Sequence, residues 1–238
     1  MQARCQCMSG CKLPPENGKS FCKKHATQCP IRSPLSGWEP FYEPHVYNKT
    51  RRMRESHNCF AYAFNHKELP PENECNEKQC TTPFHQPGRR AGFPRWNEIQ
   101  GKRCPDLLAR LFAEVPGLSK TTFTRRCPKG TSKIAYVVDP QEDYHFYRQD
   151  RDGLWSHKPG ATPVKRTDAT GRVIYNPDLA SRNYTDKGGR LNYKYFCGYL
   201  CAPRTKELHF KRGGKHRRTR RQKHPRTKRQ PGMGKLTH

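Results

Sequence analysis

Two groups of residues in this chain have the types and spacing to do chemistry. The first is R-C-Q-C-M-S-G-C-K-L-P-P-E-N-G-K-S-F-C-K-K-H, where Cys5, Cys7, Cys11, Cys22 and His25 fall within 21 residues. Zn²⁺ takes four nitrogen or sulfur ligands in a tetrahedron, and a segment this short has almost no core to fold around, so a metal supplies what packing cannot. Five candidates exceed four places, and Cys29 makes a sixth. A single residue separates Cys5 from Cys7, which cramps joint chelation, so one of the two is surplus. The set taken is Cys7, Cys11, Cys22 and His25, with zinc as a structural cofactor. Surface thiols, or disulfides in an exported protein, are the alternative.

The second group starts at S-H-N-C-F-A-Y-A-F-N, residues 56–65. A cysteine at a helix N-terminus sits at the positive end of the helix dipole, which favours the thiolate. A nucleophilic thiolate also needs a base within hydrogen-bond reach and a group that orients the base. His145 in D-Y-H-F-Y lies on a predicted strand, and the next strand of that hairpin brings Ser156 and His157 close to it. Cys59 is equally suited to being a small buried residue beside Phe60 and Tyr62. A weaker third set, Cys75, Cys80, His85 and Cys104, has the residue types for a second zinc site. Cys197 and Cys201, four apart on a predicted strand, should point the same way and line the core.

The elements that must position these residues read as follows. Residues 30–55, with four prolines and several aromatics, suit an extended linker that packs Trp38, Phe41 and Tyr42 on a neighbouring surface. A helix is predicted over 59–64, capped by Ser56 or Asn58, with Pro70-Pro71 as the stop. Residues 66–105 are loop-like. P-D-L-L-A-R-L-F-A-E-V predicts a helix over 105–115, with proline near its start and apolar residues three and four apart. T-S-K-I-A-Y-V-V is a strand that stops at Asp139-Pro140. Y-H-F-Y-R-Q, D-R-D-G and L-W-S-H-K form strand, turn and strand, with Gly153 suited to positive φ. Y-K-Y-F-C-G-Y-L-C-A-P is a last, buried strand. The expected fold class is α+β: a small N-terminal zinc module (1–30), a linker (31–55), a core of helix followed by antiparallel sheet (56–203), and a basic tail (204–238).

The composition adds a partner class. Of 238 residues only 32% are hydrophobic, and the net charge is +27. Residues 211–238 hold twelve Lys/Arg and no Asp or Glu, which leaves +15 on the first 210 (27 less 12). Such a field attracts polyanions, and the tail cations Lys211, Arg212, Lys215, Arg217, Arg218, Arg220, Arg221, Lys223, Arg226, Lys228 and Arg229 are the candidate nucleic-acid contacts. No stretch reaches the length of a membrane span, and the N-terminus lacks an apolar leader core, so the cysteines are read first in a reducing compartment.

The order of Cys on a helix, His on a strand and a polar residue on the adjacent strand resembles papain-like cysteine hydrolases. N-C-F-A-Y-A is similar to the nucleophile helix of CHAP amidases. That resemblance implies Cys59 as nucleophile, His145 as base, His157 or Ser156 as orienter and Asn58 as part of an oxyanion site. Asp143-Tyr144 stands where that family usually has a glycine before the histidine.

The block D-Y-H-F-Y-R-Q-D-R-D-G-L-W-S-H-K-P-G-A-T-P-V, with D-A-T-G-R-V-I-Y-N-P and F-C-G-Y-L-C-A-P, resembles an uncharacterised family of large nucleocytoplasmic DNA viruses and some bacteria. The N-terminal C-x-C-x3-C-x10-C-x2-H is similar to small Cys/His modules of such viruses. This resemblance implies a structural component of a virus particle, a minor capsid or nucleic-acid-contacting protein. It would be present in the virion and in host cytoplasm during assembly, with capsid proteins or nucleic acid as partners of the tail. A cysteine hydrolase, amidase or peptidase, is the alternative it allows.

Overall fold

A computed structural model describes residues 4–7, 11–26, 29 and 31–204. Its centre is T-S-K-I-A-Y-V-V, whose β-branched and aromatic residues form strand β2, Thr131–Val138. Around it lie β1 (Ser119–Thr121), β3 (Tyr144–Gln149), β4 (Trp155–Ser156) and β5 (Tyr195–Pro203). They make one antiparallel sheet in the order β1-β5-β2-β3-β4. Four short helices precede most of it: α1 (Pro44–Asn48), α2 (Arg51–Ser56), α3 (Cys59–Ala63) and α4 (Cys104–Glu114). The fold is thus a mixed α+β one of helices and antiparallel sheet.

Both faces of the sheet are covered, which explains why β2 and β3 are buried along nearly their whole length and do not alternate between apolar and polar. Ile134, Tyr136, Val138, Tyr144, Phe146, Leu200 and Ala202 point to one face and pack with Phe60 of α3 and Leu107 and Leu111 of α4. Ala135, Val137, Tyr147 and Tyr199 point to the other, under Ile174, Ala180 and Tyr193. That second cover, residues 157–194, has almost no regular structure. Local polar bonds hold it instead. Asp168 fixes the D-A-T-G turn by accepting the backbone N–H of Thr170 and Arg172, while its other oxygen takes Ser181 N–H.

The linker differs from its expected extended form. Thr50 caps α2 by accepting Met53 N–H, and Glu77 accepts the N–H groups of Arg51 and Arg52. Of its aromatics, Tyr42 packs beneath the Arg166 guanidinium, whereas Trp38 and Phe41 stay exposed. Arg148 then pins the linker to the core. It pairs with buried Asp150, donates to the Phe41 and Tyr62 carbonyls, and lies 3.8 Å over the Tyr62 ring.

Disulfides were not the first expectation for the cysteines, yet eight of the twelve are paired. Cys104–Cys197 ties the start of α4 to β5, and Cys127–Cys201 ties the β1–β2 loop to the same strand. The expectation that Cys197 and Cys201 share a face fails because β5 bulges opposite Tyr136 and Val137, with Gly198 at φ 130°. The extra residue flips the side-chain parity, so Cys197 faces the helices and Cys201 the irregular cover. Cys75–Cys80 closes a small hairpin in the loop-like stretch, and with Cys104 also paired the second zinc site does not exist. Among the described residues, no helix is long and apolar enough to cross a membrane.

Candidate metal centre

Among its described residues the N-terminal segment has one 3₁₀ turn, Lys23–His25, and a core of cysteine sulfurs with Phe21 packed against them. Cys5, Cys11, Cys22 and His25 converge there, their ligand atoms all within 4.8 Å of one another. His25 Nδ1 lies 3.5 Å from Cys5 Sγ and 3.3 Å from Cys22 Sγ, and Cys11 Sγ lies 3.6 Å from Cys22 Sγ. A tetrahedral ion with metal–sulfur bonds of about 2.3 Å and metal–nitrogen bonds of about 2.0 Å requires edges of about 3.5–3.8 Å. These four residues could therefore hold a metal ion. Burial, first, pushes the Cys5 thiol up, and its coupling to Cys22 adds to this. Burial opposes a low value for Cys22 too, but hydrogen bonds from Cys5, the His25 backbone and Cys11 bring it below the ordinary thiol range.

One ligand of the expected set is corrected. Cys7 is disulfide-bonded to Cys29, and Cys5 occupies the place assigned to it. Gln6, between them, faces the body of the protein. Its side chain donates to the Val173 carbonyl and accepts the N–H groups of Tyr175 and Asn176, and Ser20 Oγ also donates to Val173. Phe21 packs edge-on against Tyr175, with ring centroids 4.7 Å apart. This docking is not legible in the sequence, because a glutamine in C-Q-C reads as a spacer.

Cys59, His145 and His157, the expected catalytic set, do not assemble. Cys59 does begin α3, and Asn58 caps that helix by accepting Ala61 N–H. The Asn58 amide also donates to the His85 carbonyl, so both ends of its side chain are occupied by structure. Helix α3 packs on the face of β3 that carries Tyr144 and Phe146, whereas His145 points to the opposite face, where it stacks on Tyr193. Adjacent positions on one strand cannot serve one site. Burial pushes the Cys59 thiol up, and nearby Asp143 pushes further, the reverse of an activated nucleophile.

His145 instead bonds His157, Nε2 to Nδ1 at 2.7 Å, and His157 Nε2 donates to the Thr167 carbonyl at 2.9 Å. With its Nε2 proton on Thr167, His157 accepts from His145, which fixes both tautomers. Burial lowers His145 well below the ordinary histidine range and brings His157 to about 4, so both are neutral struts. Ser156 is occupied by the Tyr62 hydroxyl, 2.7 Å away. The tail cations from Lys211 to Arg229 lie outside the described residues.

No family model matches the chain, and no solved structure matches it. Among curated proteins, it is 37% identical over 151 residues to insoluble matrix shell protein 1 of Ruditapes philippinarum, covering 63% of this chain and 87% of that protein. A shell matrix relative overturns the assignment to a giant DNA virus particle. With it fall the minor-capsid role, capsid partners, and localisation in virion and host cytoplasm. It equally overturns the hydrolase alternative, in agreement with the separation of Cys59 from His145.

Proposed function

We propose, from the premise that this chain belongs to the family of insoluble matrix shell protein 1, that it is a structural protein of an extracellular matrix. The observation that carries the reading is that relationship, and the four disulfides support it, since such bonds form and persist in oxidising surroundings. The working property of the protein is then its charge. A net charge of +27 draws it to polyanionic matrix components through the body and the basic tail together.

The ion of the N-terminal centre is zinc in this reading. Three thiolate sulfurs and one imidazole form a closed four-ligand set of the structural kind, without an open position for chemistry. Three thiols left unpaired side by side, in a chain that pairs its other neighbouring cysteines, also favour a bound metal over idle thiols. The papain-like arrangement is retained as a proposal about the scaffold alone, supported by α3 packing its Cys59 end on the antiparallel sheet. The likeness to the DNA-virus family is likewise a proposal about shared descent of the core, carried by the hairpin of β3 and β4 and by β5.

The test is location. An antibody against the folded body should stain the insoluble extracellular matrix of the tissue that makes the chain, and the stain should weaken on extraction with salt. Staining confined to the cell interior would overturn the reading.

A further inference from the structure

A cleft of about 980 Å³ opens between the α2–α3 junction and the irregular stretch 66–97. Neither the metal centre nor the sheet needs it. One wall carries Arg89, Arg90 and Arg95, all exposed. The loop that bears them is bolted from below by two buried charges of α4. Arg110 donates to the carbonyls of Pro87 and Pro94, with its guanidinium near the rings of Phe93 and Trp96. Glu114 accepts the Gly88 N–H and, at 2.5 Å, His85 Nε2. Gly88 has φ +82°, and a Cβ there would lie 2.9 Å from the Arg110 side chain, so only glycine lets the loop close on α4. Two buried charges spent on an otherwise structureless loop make the arginine wall a fixed feature.

The floor carries a buried histidine. His57 is 2% exposed and lines the cleft. Its Nδ1 lies against two acceptors, the Met53 carbonyl and Ser56 Oγ, whose own proton goes to the Arg52 carbonyl. The ring proton therefore sits on Nδ1. The remaining lining mixes Leu69, Phe84 and three prolines with polar side chains, among them His66, Gln86 and Asn97. A sugar chain would want stacking platforms along its length; a peptide wants apolar pockets and backbone partners.

We propose that this cleft seats an extended acidic peptide segment of a matrix partner. Its carboxylates lie on Arg89, Arg90 and Arg95, and its apolar side chains on Leu69 and Phe84. Guanidinium forks match carboxylates in a bidentate geometry, which gives this wall its preference. Glu68 and Glu74 line the cleft as well, so the acidic side chains of the ligand are steered away from them and towards the arginines. The proposal rests on the matrix reading and deepens it.

The experiment uses the full chain and a fluorescein-labelled peptide of repeated Asp-Leu-Asp-Ser, followed by anisotropy at physiological salt. The combined Arg89→Ser, Arg90→Ser, Arg95→Ser variant should bind at least tenfold more weakly. Leu69→Asp, which keeps every cation, should weaken binding by a similar factor. Neutralising Arg217, Arg218, Arg220 and Arg221 to Gln should change it less than threefold. Unchanged binding by the triple variant, with loss in the tail variant, would overturn the cleft while leaving the matrix reading intact. An equal loss for a sulfated polysaccharide would overturn the peptide as occupant. No binding by the parent chain to either polyanion would overturn the polyanion reading itself.

Discussion

The N-terminal module and the sheet body solve the same problem in opposite ways. The module has no buried aliphatic side chain among its described residues; its centre is Cys5, Cys7 and Cys22 with half-buried sulfur and one phenylalanine around them. The body buries two apolar layers on one sheet. A module of that kind owes its order to bonds that chemistry can remove, whereas the body owes its order to surface removed from water. Disulfides serve the two differently. Cys7–Cys29 closes a short loop on the module, while Cys104–Cys197 and Cys127–Cys201 span 93 and 74 residues across a core that is already packed.

The largest effect that would break this comparison is a shared response to chelation. A chelator should abolish amide protection in residues 4–26 entirely and leave protection in β2 and β5 unchanged; coupled loss in hydrogen exchange would show one cooperative unit. Reduction should act the other way. Losing the two long-range disulfides should cost the body about 4 kcal/mol each by loop-closure entropy, measured as a fall in the urea midpoint. Arg148→Ala should cost about 3–5 kcal/mol, because it leaves Asp150 buried beside a single remaining guanidinium and frees the linker.

Acid should then weaken the body before it touches the disulfides. His57 and His157 are lowered by burial to about 4, against an ordinary 6.5 that the unfolded chain restores. The unfolded state therefore takes up protons first. Stability is whole above pH 6.5, falls progressively as pH drops towards 4, and levels off below it. Thermal melts across that window should show a loss of up to about 3 kcal/mol per histidine, and His157→Gln should flatten the slope. Gln6→Ala is the smallest and sharpest change. It should cost about 1–2 kcal/mol of docking, loosening residues 4–26 while leaving the metal bound. Loss of the metal with Gln6 would mean that the body, and not the cysteines, holds the site together.

Local signals in the sequence marked the elements well where chain chemistry decides alone. The proline placed α4, β-branched runs placed β2, and of the two caps the sequence offered for α3, Ser56 and Asn58, Asn58 is the one used. The metal centre was legible as a segment but not as a ligand set, since C-x-C offers two sulfurs and only the partner of Cys7, Cys29, decides between them. The pairing of Cys59 with His145 failed for a reason that one residue of register controls: a strand presents neighbours to opposite faces. The bulge at Gly198 misled in the same manner. The arginine cleft left no trace in sequence, because nothing in the helix pattern marks Arg110 and Glu114 as the buried clamps they are.

The most direct test of the proposed metal knot and of the disulfide staples is thiol counting by mass spectrometry without reductant, before and after chelation, in denaturant-free buffer. The account predicts no alkylation of Cys5, Cys11 or Cys22 while the metal is present, and reaction of all three once it is removed. The eight cystine sulfurs should stay unmodified in both states. Twelve reactive thiols, or Cys5, Cys11 and Cys22 found already oxidised in the fresh protein, would contradict it.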